Sequence, residues 1–202
     1  MKKYLAFLQS KENELGIPLE GPLGDWLSPE GYKNDDTLLW MAYYIYDLDI
    51  LQKTATLLRL PEEASVFETQ LQRKKAIFNR VYLAANAQSI RSGIQTRKMG
   101  VVDASLDTSA GTLMDTQASY AIPLNLGIVS DETGKQMATH LVQAIQRENK
   151  DELGVMRPPY SLMTGFIGTA SINGALSRYG KDAVAYGLLT HRSYPSWLYP
   201  VV

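Results

Sequence analysis

The sequence predicts an all-α fold made of αα-hairpins, in which each hairpin joins an enclosed helix to an amphipathic one. Three apolar or uncharged stretches are each followed by a stretch whose apolar residues recur at helical spacing. No stretch shows the alternation of a β-strand, so we expect little β-structure. Two concentric rings of helices explain such pairs, with the uncharged helices inside. A right-handed helical solenoid is the alternative, although no fixed repeat length is visible.

The first hairpin is predicted over residues 37–83. Asn34, Asp35 and Asp36 are good N-cap residues for an enclosed helix near 37–58, whose first half is apolar or aromatic almost all round. Pro61 begins an amphipathic helix near 62–83, because proline is favoured in the first turn. We expect this helix to direct the following charged side chains to water: Glu68, Arg73, Lys74, Lys75 and Arg80.

Two further hairpins follow the same scheme. Enclosed helices are predicted near 115–127 and 164–178, and amphipathic partners near 131–149 and 182–191. Asp115 and Ser130 are the expected N-caps of the second pair, and Pro123 should kink or end its enclosed helix. Residues 1–8 carry too short an apolar run for a signal peptide and predict the last turns of a helix.

Two long polar connections precede enclosed helices, over residues 16–34 and 86–114. Loops of that length in a compact domain are usually functional or disordered. The second contains Asp103 and Asp107 among many polar residues. Because both loops lead into enclosed helices, we expect them at the same end of the ring, and we place the candidate site there.

The composition excludes several classes of function. The chain has 202 residues, 45% of them hydrophobic, and a net charge of −1, which suits one folded domain and gives no basic field for nucleic acid. Residues 158–177 are uncharged but rich in Gly, Ser and Thr, so we expect no membrane span. Without cysteine, and with two widely separated histidines, the sequence predicts no disulfide, metal or cofactor.

Four short stretches place aromatic and polar residues in loops or at the ends of enclosed helices. They are Gly24-Asp25-Trp26-Leu27-Ser28-Pro29, Asp115-Thr116-Gln117, Thr164-Gly165-Phe166-Ile167-Gly168-Thr169 and Tyr194-Pro195-Ser196-Trp197-Leu198-Tyr199. An Asp beside a Trp suits a sugar, because aromatic faces stack on C–H-rich rings and carboxylates bind hydroxyls. The alternatives are structural: an Asx-type turn at Asp25, core packing of Trp26 and Trp197, and a helix-packing motif at 164–169.

Together, and in this order, these stretches resemble the bacterial α-L-rhamnosidases of glycoside hydrolase family 78. The segments Gly-Asp-Trp-Leu-Ser-Pro, Leu-Leu-Trp-Met-Ala-Tyr-Tyr-Ile-Tyr-Asp-Leu, Thr-Gly-Phe-Ile-Gly-Thr and Tyr-Pro-Ser-Trp-Leu-Tyr carry the resemblance, which covers nearly the whole chain. It implies that residues 1–202 are part of an (α/α)₆ toroid, the six-hairpin glycosidase fold. It also implies a carbohydrate substrate and an inverting hydrolysis of terminal α-L-rhamnosides.

The chain departs from the family at the catalytic groups. In similar enzymes the general acid lies in an acidic motif upstream of Gly-Asp-Trp, and the general base is a glutamate in a Trp-Glu-Arg motif downstream of Ser-Trp-Leu-Tyr. We expect neither motif in this chain, and therefore no catalytic residue and no hydrolysis by the chain alone. The resemblance transfers binding or supporting roles only, to Asp25, Trp26, Thr164, Phe166 and Trp197.

Two other classes of function remain open at this point. One is a non-catalytic helical ring that binds a sugar or peptide in its concavity, and the other is a half-toroid that serves as a structural unit. A half-ring should leave its enclosed helices partly uncovered, so we expect two copies to pair through them. The surface should centre on Trp40, Tyr44, Leu124, Phe166 and Ile167, with residues 73–75 in water.

Overall fold

A computed structural model describes residues 1–20, 24–98, 101–102 and 109–201 of the chain. These residues form seven α-helices: α1 (Lys2–Ser10), α2 (Asp36–Leu57), α3 (Pro61–Tyr82), α4 (Gln117–Asn125), α5 (Asp131–Gln146), α6 (Phe166–Arg178) and α7 (Asp182–Thr190). A short 3₁₀ helix, Gly31–Lys33, precedes α2. The β-structure described is limited to two antiparallel hairpins, β1 (Arg97–Lys98) with β2 (Val101–Val102) and β3 (Asn149–Lys150) with β4 (Met156–Arg157).

The helices pack as the predicted hairpins. Helix α2 packs on α3, α4 on α5 and α6 on α7, while α4 also contacts both α6 and α2. The helices α2, α4 and α6 are therefore the inner set, and α3, α5 and α7 lie outside them. The all-α fold of αα-hairpins is confirmed.

Burial separates the two sets of helices. Every residue of α4 from Gln117 to Leu124 is buried. Helix α3 buries only six of its 22 residues, whereas α6 buries five of its 13. The predicted distinction between enclosed and surface helices is therefore confirmed for these two helices.

Of the four helices for which the sequence analysis names a starting residue, three start as predicted. Asp35 caps α2 by accepting the Thr37 N–H, Ser130 caps α5 by accepting the Thr133 N–H, and Pro61 is the first residue of α3. The prediction for α4 was wrong, because Thr116 and not Asp115 is the N-cap. Thr116 accepts the Ser119 N–H, and the Ser119 hydroxyl in turn accepts the Thr116 N–H, which completes a capping box.

Helix α5 ends at Gln146, three residues before the predicted end, because Asn149 and Lys150 pair with the strand at 156–157. The long connection before α4 forms isolated bridges, Leu83 with Ser89 and Ile90 with Leu113. Asp103 and Asp107 lie outside the described residues. Within the described part of the chain, no helix is both long enough and apolar enough to cross a membrane.

Lys74 contradicts the expectation that residues 73–75 face water. It is 4% exposed. Its Nζ lies 2.7 Å from the Glu12 carboxylate, donates to the Gly16 carbonyl at 2.7 Å and sits 4.8 Å from the centre of the Tyr44 ring. The Tyr44 hydroxyl donates to the other oxygen of Glu12 at 2.6 Å. This cluster of the buried Tyr44 and Lys74 with the partly buried Glu12 joins the connection after α1 to α2 and α3.

The inner helices expose less than we expected of a half-ring. Tyr44 is 1% exposed, Leu124 0% and Trp40 9%, so the prediction that these three centre an exposed pairing surface was wrong. The reason is local packing within the same chain: α4, which carries Leu124, is covered by α2, α5 and α6, and α2, which carries Trp40 and Tyr44, contacts α1, α3 and α4. Of the predicted surface, Phe166 is exposed and Ile167 is partly buried.

Candidate functional site

The connections before the inner helices meet at one end of the ring, as predicted. The second oxygen of the Asp35 carboxylate, the cap of α2, accepts the Ser92 N–H at 2.8 Å and its hydroxyl at 2.7 Å. The Thr116 hydroxyl, the cap of α4, donates to the Asn34 side-chain oxygen at 2.6 Å. The starts of α2 and α4 are therefore joined through side chains of both connections.

Asp25 lies at the start of α6. Its carboxylate accepts the Gly165 N–H at 2.7 Å and the Gly168 N–H at 2.8 Å, and the side chain is buried. Gly165 is the N-cap position of α6 and has no side chain to satisfy these donors, so Asp25 supplies the cap from a distant loop. Burial raises the pKa of this carboxyl above its ordinary value of 3.8, and the N–H donors of the helix offset part of that rise.

The backbone of the Asp25 loop runs against the start of α6. The Trp26 carbonyl accepts the Phe166 N–H at 3.1 Å. A Cβ on Gly165 would lie 2.3 Å from the carbonyl oxygens of both Asp25 and Trp26. Glycine is required at this position because the neighbouring backbone leaves no room for a side chain.

Trp26 and Phe166 form an aromatic pair on the surface beside this contact. Their ring centres are 5.7 Å apart at an angle of 85°, an edge-to-face arrangement. Trp26 is 53% exposed and Phe166 is 60% exposed. The alternative that Trp26 is a core residue is therefore wrong. Leu27, which follows Trp26, has a φ of 61° and is also exposed.

The other two predicted binding residues are less exposed. Thr164 is buried, and its hydroxyl lies 2.8 Å from the hydroxyl of Thr169 in the first turn of α6. Trp197 is partly buried and packs against the hydrophobic core. Its segment reaches the site through the backbone, where the Leu162 N–H donates to the Pro195 carbonyl at 2.8 Å. The structure thus brings Asp25, Trp26, Thr164 and Phe166 together, and links Trp197 to them through neighbouring residues.

Two residues that the sequence analysis did not select hold the segment before α6. The Gln117 amide donates to the Ser161 carbonyl at 3.0 Å and accepts the Met163 N–H at 3.0 Å. The Ser28 hydroxyl donates to the Met163 carbonyl at 3.1 Å. Ser28 and Gln117 both lie within the short stretches singled out in the sequence analysis. Their hydrogen-bond partners are distant in the sequence, so no local pattern indicates them.

A charged cluster lies beside the start of α4. Arg147 forms an ion pair with the Asp115 carboxylate and donates to the Asp115 carbonyl at 2.7 Å, and the Tyr120 hydroxyl donates to Asp115 at 2.7 Å. Nearby, Glu30 is 1% exposed and accepts from Lys33 Nζ at 2.7 Å. Burial raises the pKa of the Glu30 carboxyl, and Lys33 offsets part of the rise.

A cavity of about 240 Å³ lies between α1, α2 and the start of α6. Aromatic side chains dominate its lining, with Asp47 and Glu20 as its carboxylates; the aromatic residues are Tyr4, Phe7, Trp40, Tyr43 and Tyr44. Ile167, next to Phe166, also lines it. Burial raises the pKa of the Tyr43 hydroxyl, and the negative charge of Asp25 adds to the rise.

The exposed side chains at this end of the chain are of types that suit the binding of a sugar. Exposed aromatic rings can stack on the apolar face of a sugar, and the oxygens around them can bind hydroxyls. Among the described residues, no group of three or more His, Cys, Asp or Glu side chains is placed to hold a metal ion. The carboxylates of Asp25, Asp35 and Asp115 are already engaged by N–H groups, hydroxyls or Arg147.

Comparison with known proteins identifies the domain. The family of bacterial α-L-rhamnosidase six-hairpin glycosidase domains matches residues 1–202. An α-L-rhamnosidase of Streptomyces avermitilis is 29% identical over 198 residues, covering 98% of this chain and 16% of the relative. One of Formosa agariphila is 26% identical over 207 residues, covering 100% of this chain and 19% of the relative. The chain thus spans less than a fifth of the length of these curated relatives.

A solved structure agrees with the sequence relatives. The crystal structure of the Streptomyces avermitilis α-L-rhamnosidase, in complex with L-rhamnose, superposes with a TM-score of 0.74 at 25% identity. The superposition covers 99% of this chain and 16% of that one. The inner and outer helices described above are therefore hairpins of the six-hairpin fold. The chain belongs to the family of bacterial α-L-rhamnosidase six-hairpin glycosidase domains.

Proposed function

We propose that this chain forms one wall of an α-L-rhamnosidase active site and binds a terminal α-L-rhamnosyl residue of a glycan or glycoside. The exposed edge-to-face pair of Trp26 and Phe166 at the start of α6 carries this proposal. Rhamnose has a methyl group in place of a hydroxymethyl group, so its ring offers more apolar surface to an aromatic partner than most hexoses do. The S. avermitilis relative, solved with L-rhamnose, supports the choice of sugar.

Trp26 and Phe166 contact the sugar in this proposal, and the remaining predicted residues support them. Asp25 and Thr164 are buried behind the pair, and Trp197 packs against the core beside their segment. None of these three presents a large free surface to a ligand. In this proposal they stabilise the backbone segments that carry the exposed rings of Trp26 and Phe166.

The chemical step in this proposal is an inverting hydrolysis whose general acid and general base lie outside the chain. Such a step needs two carboxyl groups about 6.5–9.5 Å apart, one to protonate the leaving oxygen and one to activate water. The carboxylates of Asp25, Asp35 and Asp115 stabilise helix starts or pair with Arg147, which leaves them poorly suited to exchange protons with a substrate. We therefore assign the chain a binding role in the reaction.

Calorimetric titration with L-rhamnose tests the binding proposal. We expect millimolar affinity for the wild-type chain, and about tenfold weaker binding by Trp26→Ala and by Phe166→Ala, because each loses one aromatic contact. Tyr186→Ala is the matched control, since Tyr186 is a 68% exposed aromatic residue on the outer helix α7. Equal affinities in all four proteins would refute the site.

A hydrolysis assay tests the proposed division of the catalytic groups. We expect the 202-residue chain alone to leave an aryl α-L-rhamnoside intact, because losing a general acid or base commonly lowers the rate about 10²–10⁴-fold per group. Rapid turnover by the purified chain that disappears when one of its own Asp or Glu residues is replaced would show that the catalytic carboxyls lie within it.

A further inference from the structure

The segment before α6 is buried although it is irregular. Residues 161–165 form no helix or strand, and all five are buried. Buried backbone polar groups need partners, and here distant side chains supply several of them. Gln117 bonds to Ser161 and Met163, and Ser28 bonds to Met163. Side chains from other parts of the chain therefore fix the path of the backbone that leads to Phe166.

Asp25 completes this set of contacts and is the one that reaches Phe166 from both sides. Its two carboxylate oxygens accept the N–H groups of Gly165 and Gly168, which flank Phe166 in the sequence. Asp25 is also the residue immediately before Trp26. The Asp25 carboxylate thus links the backbone that carries Trp26 to the backbone that carries Phe166.

The same geometry leaves little of Asp25 for a sugar. The side chain is 6% exposed, and both oxygens already accept hydrogen bonds from the first turn of α6. A hydroxyl group of a ligand would have to reach oxygens that the surrounding chain covers, and would compete there with charge-assisted bonds at a helix N-terminus, where a negative charge is most favourable. The exposed surface of the site belongs to the two rings in front of it.

We propose that Asp25 is a positioning residue that sets the geometry of the Trp26–Phe166 pair by capping α6 from a distant loop, without contacting the sugar. This proposal rests on the proposed function, because it concerns the same binding site. An exposed Asp beside a Trp would be expected to bind the sugar directly. The buried Asp25 instead fixes the positions of the two aromatic rings.

Fluorine NMR of the chain labelled with 4-fluorophenylalanine tests the proposal. The chain has four phenylalanines, and Phe166→Leu identifies the resonance of Phe166. Asp25→Asn keeps the shape of the side chain but replaces one acceptor oxygen with a donor group, so it can cap only one of the two N–H groups. We expect the Phe166 resonance to move and L-rhamnose binding to weaken about tenfold. Asp25→Ser, a shorter capping residue, serves if the asparagine variant does not fold.

Asp35→Asn is the matched control. Asp35 is 5% exposed and also accepts two N–H groups, that of Thr37 in α2, which it caps locally, and that of Ser92 in the connection before α4. We expect it to lose a similar amount of stability while the Phe166 resonance and rhamnose affinity stay unchanged. If Asp25→Asn fails to bind rhamnose while its Phe166 resonance is unmoved, the proposal is overturned in favour of direct contact between Asp25 and the sugar. An unmoved resonance with unchanged affinity would also overturn it.

The two proposals can fail separately. If the wild-type chain does not bind L-rhamnose, the proposed function fails. The Phe166 resonance in Asp25→Asn then still decides the positioning role: a displaced resonance supports it, and an unmoved resonance overturns it.

Discussion

Replacing Gly165 with alanine is the most direct perturbation of the contact on which the site is built. A Cβ at this position would lie 2.3 Å from two carbonyl oxygens, those of Asp25 and Trp26, so the loop must move away by about 1 Å to reach ordinary contact distance. That movement lengthens the bond from the Phe166 N–H to Trp26 and both bonds to the Asp25 carboxylate.

The expected loss of stability follows from these contacts. Overpacking against backbone destabilises by about 1–3 kcal/mol, and weakening hydrogen bonds to a charged acceptor adds about 1.5–3 kcal/mol for each bond that is lost. We expect Gly165→Ala to lower the free energy of unfolding by about 3 kcal/mol, which is roughly 6–12 °C in Tm for a chain of this size. Rhamnose binding should weaken as well, because both rings are displaced.

Urea unfolding followed by circular dichroism measures the loss, and Gly31→Ala is the control. A Cβ on Gly31 meets nothing within 4 Å, so this substitution should be neutral or slightly stabilising. If Gly165→Ala unfolds within about 0.5 kcal/mol of the wild type, the loop is free to yield and the close contact does not hold the site.

Three further predictions concern the rest of the chain. Lys74→Met should destabilise by about 3 kcal/mol in urea, because it leaves the partly buried Glu12 without its cation and the Gly16 carbonyl without its donor. Adding Glu12→Gln should recover part of the loss, and equal stability of wild type and single variant would contradict this. Burial raises the pKa of Glu30 above 4.5, so the folded chain holds this proton more tightly than the unfolded chain, and stability is lost as pH rises through that window. Glu30→Gln removes this loss, so its free energy of unfolding relative to the wild type should increase as the pH rises above about 4.5; parallel pH profiles of the two proteins would refute the prediction. The exposed Phe166 and the aromatic cavity beside α1 lead us to expect that two copies pair in sedimentation at micromolar concentration, and a soluble monomer there would contradict pairing.

The helices could be predicted from the sequence because their signals are local. Cap residues and helical spacing act over a few positions, so Asp35, Pro61 and Ser130 marked helix starts that the structure confirms. Local signals fail where two candidates are adjacent. Asp115 and Thr116 are both good cap residues, and in the structure Thr116 caps α4 while the Asp115 carboxylate binds Arg147 and Tyr120.

The site could be predicted only in part, because its decisive contacts are distant in sequence. The aromatic residues were visible as motifs, but the partner of Asp25 lies 140 positions away. One local signal did exist: Gly165 is the N-cap position of α6 and has no side chain that could accept the N–H groups of the first turn. Lys74 shows the same limit, since the carbonyl that binds it is 58 positions away and nothing in the run of residues 73–75 distinguishes it from its neighbours.

A ¹⁵N-labelled sample titrated with L-rhamnose tests the central claim most directly. If the start of α6 binds the sugar, the Trp26 indole N–H and the amides of residues 165–168 will shift together, with a single affinity. The outer helix α7 should show no change. Shifts confined to the cavity between α1 and α2, at Tyr4 or Tyr43, with Trp26 and Phe166 unmoved, would contradict the account.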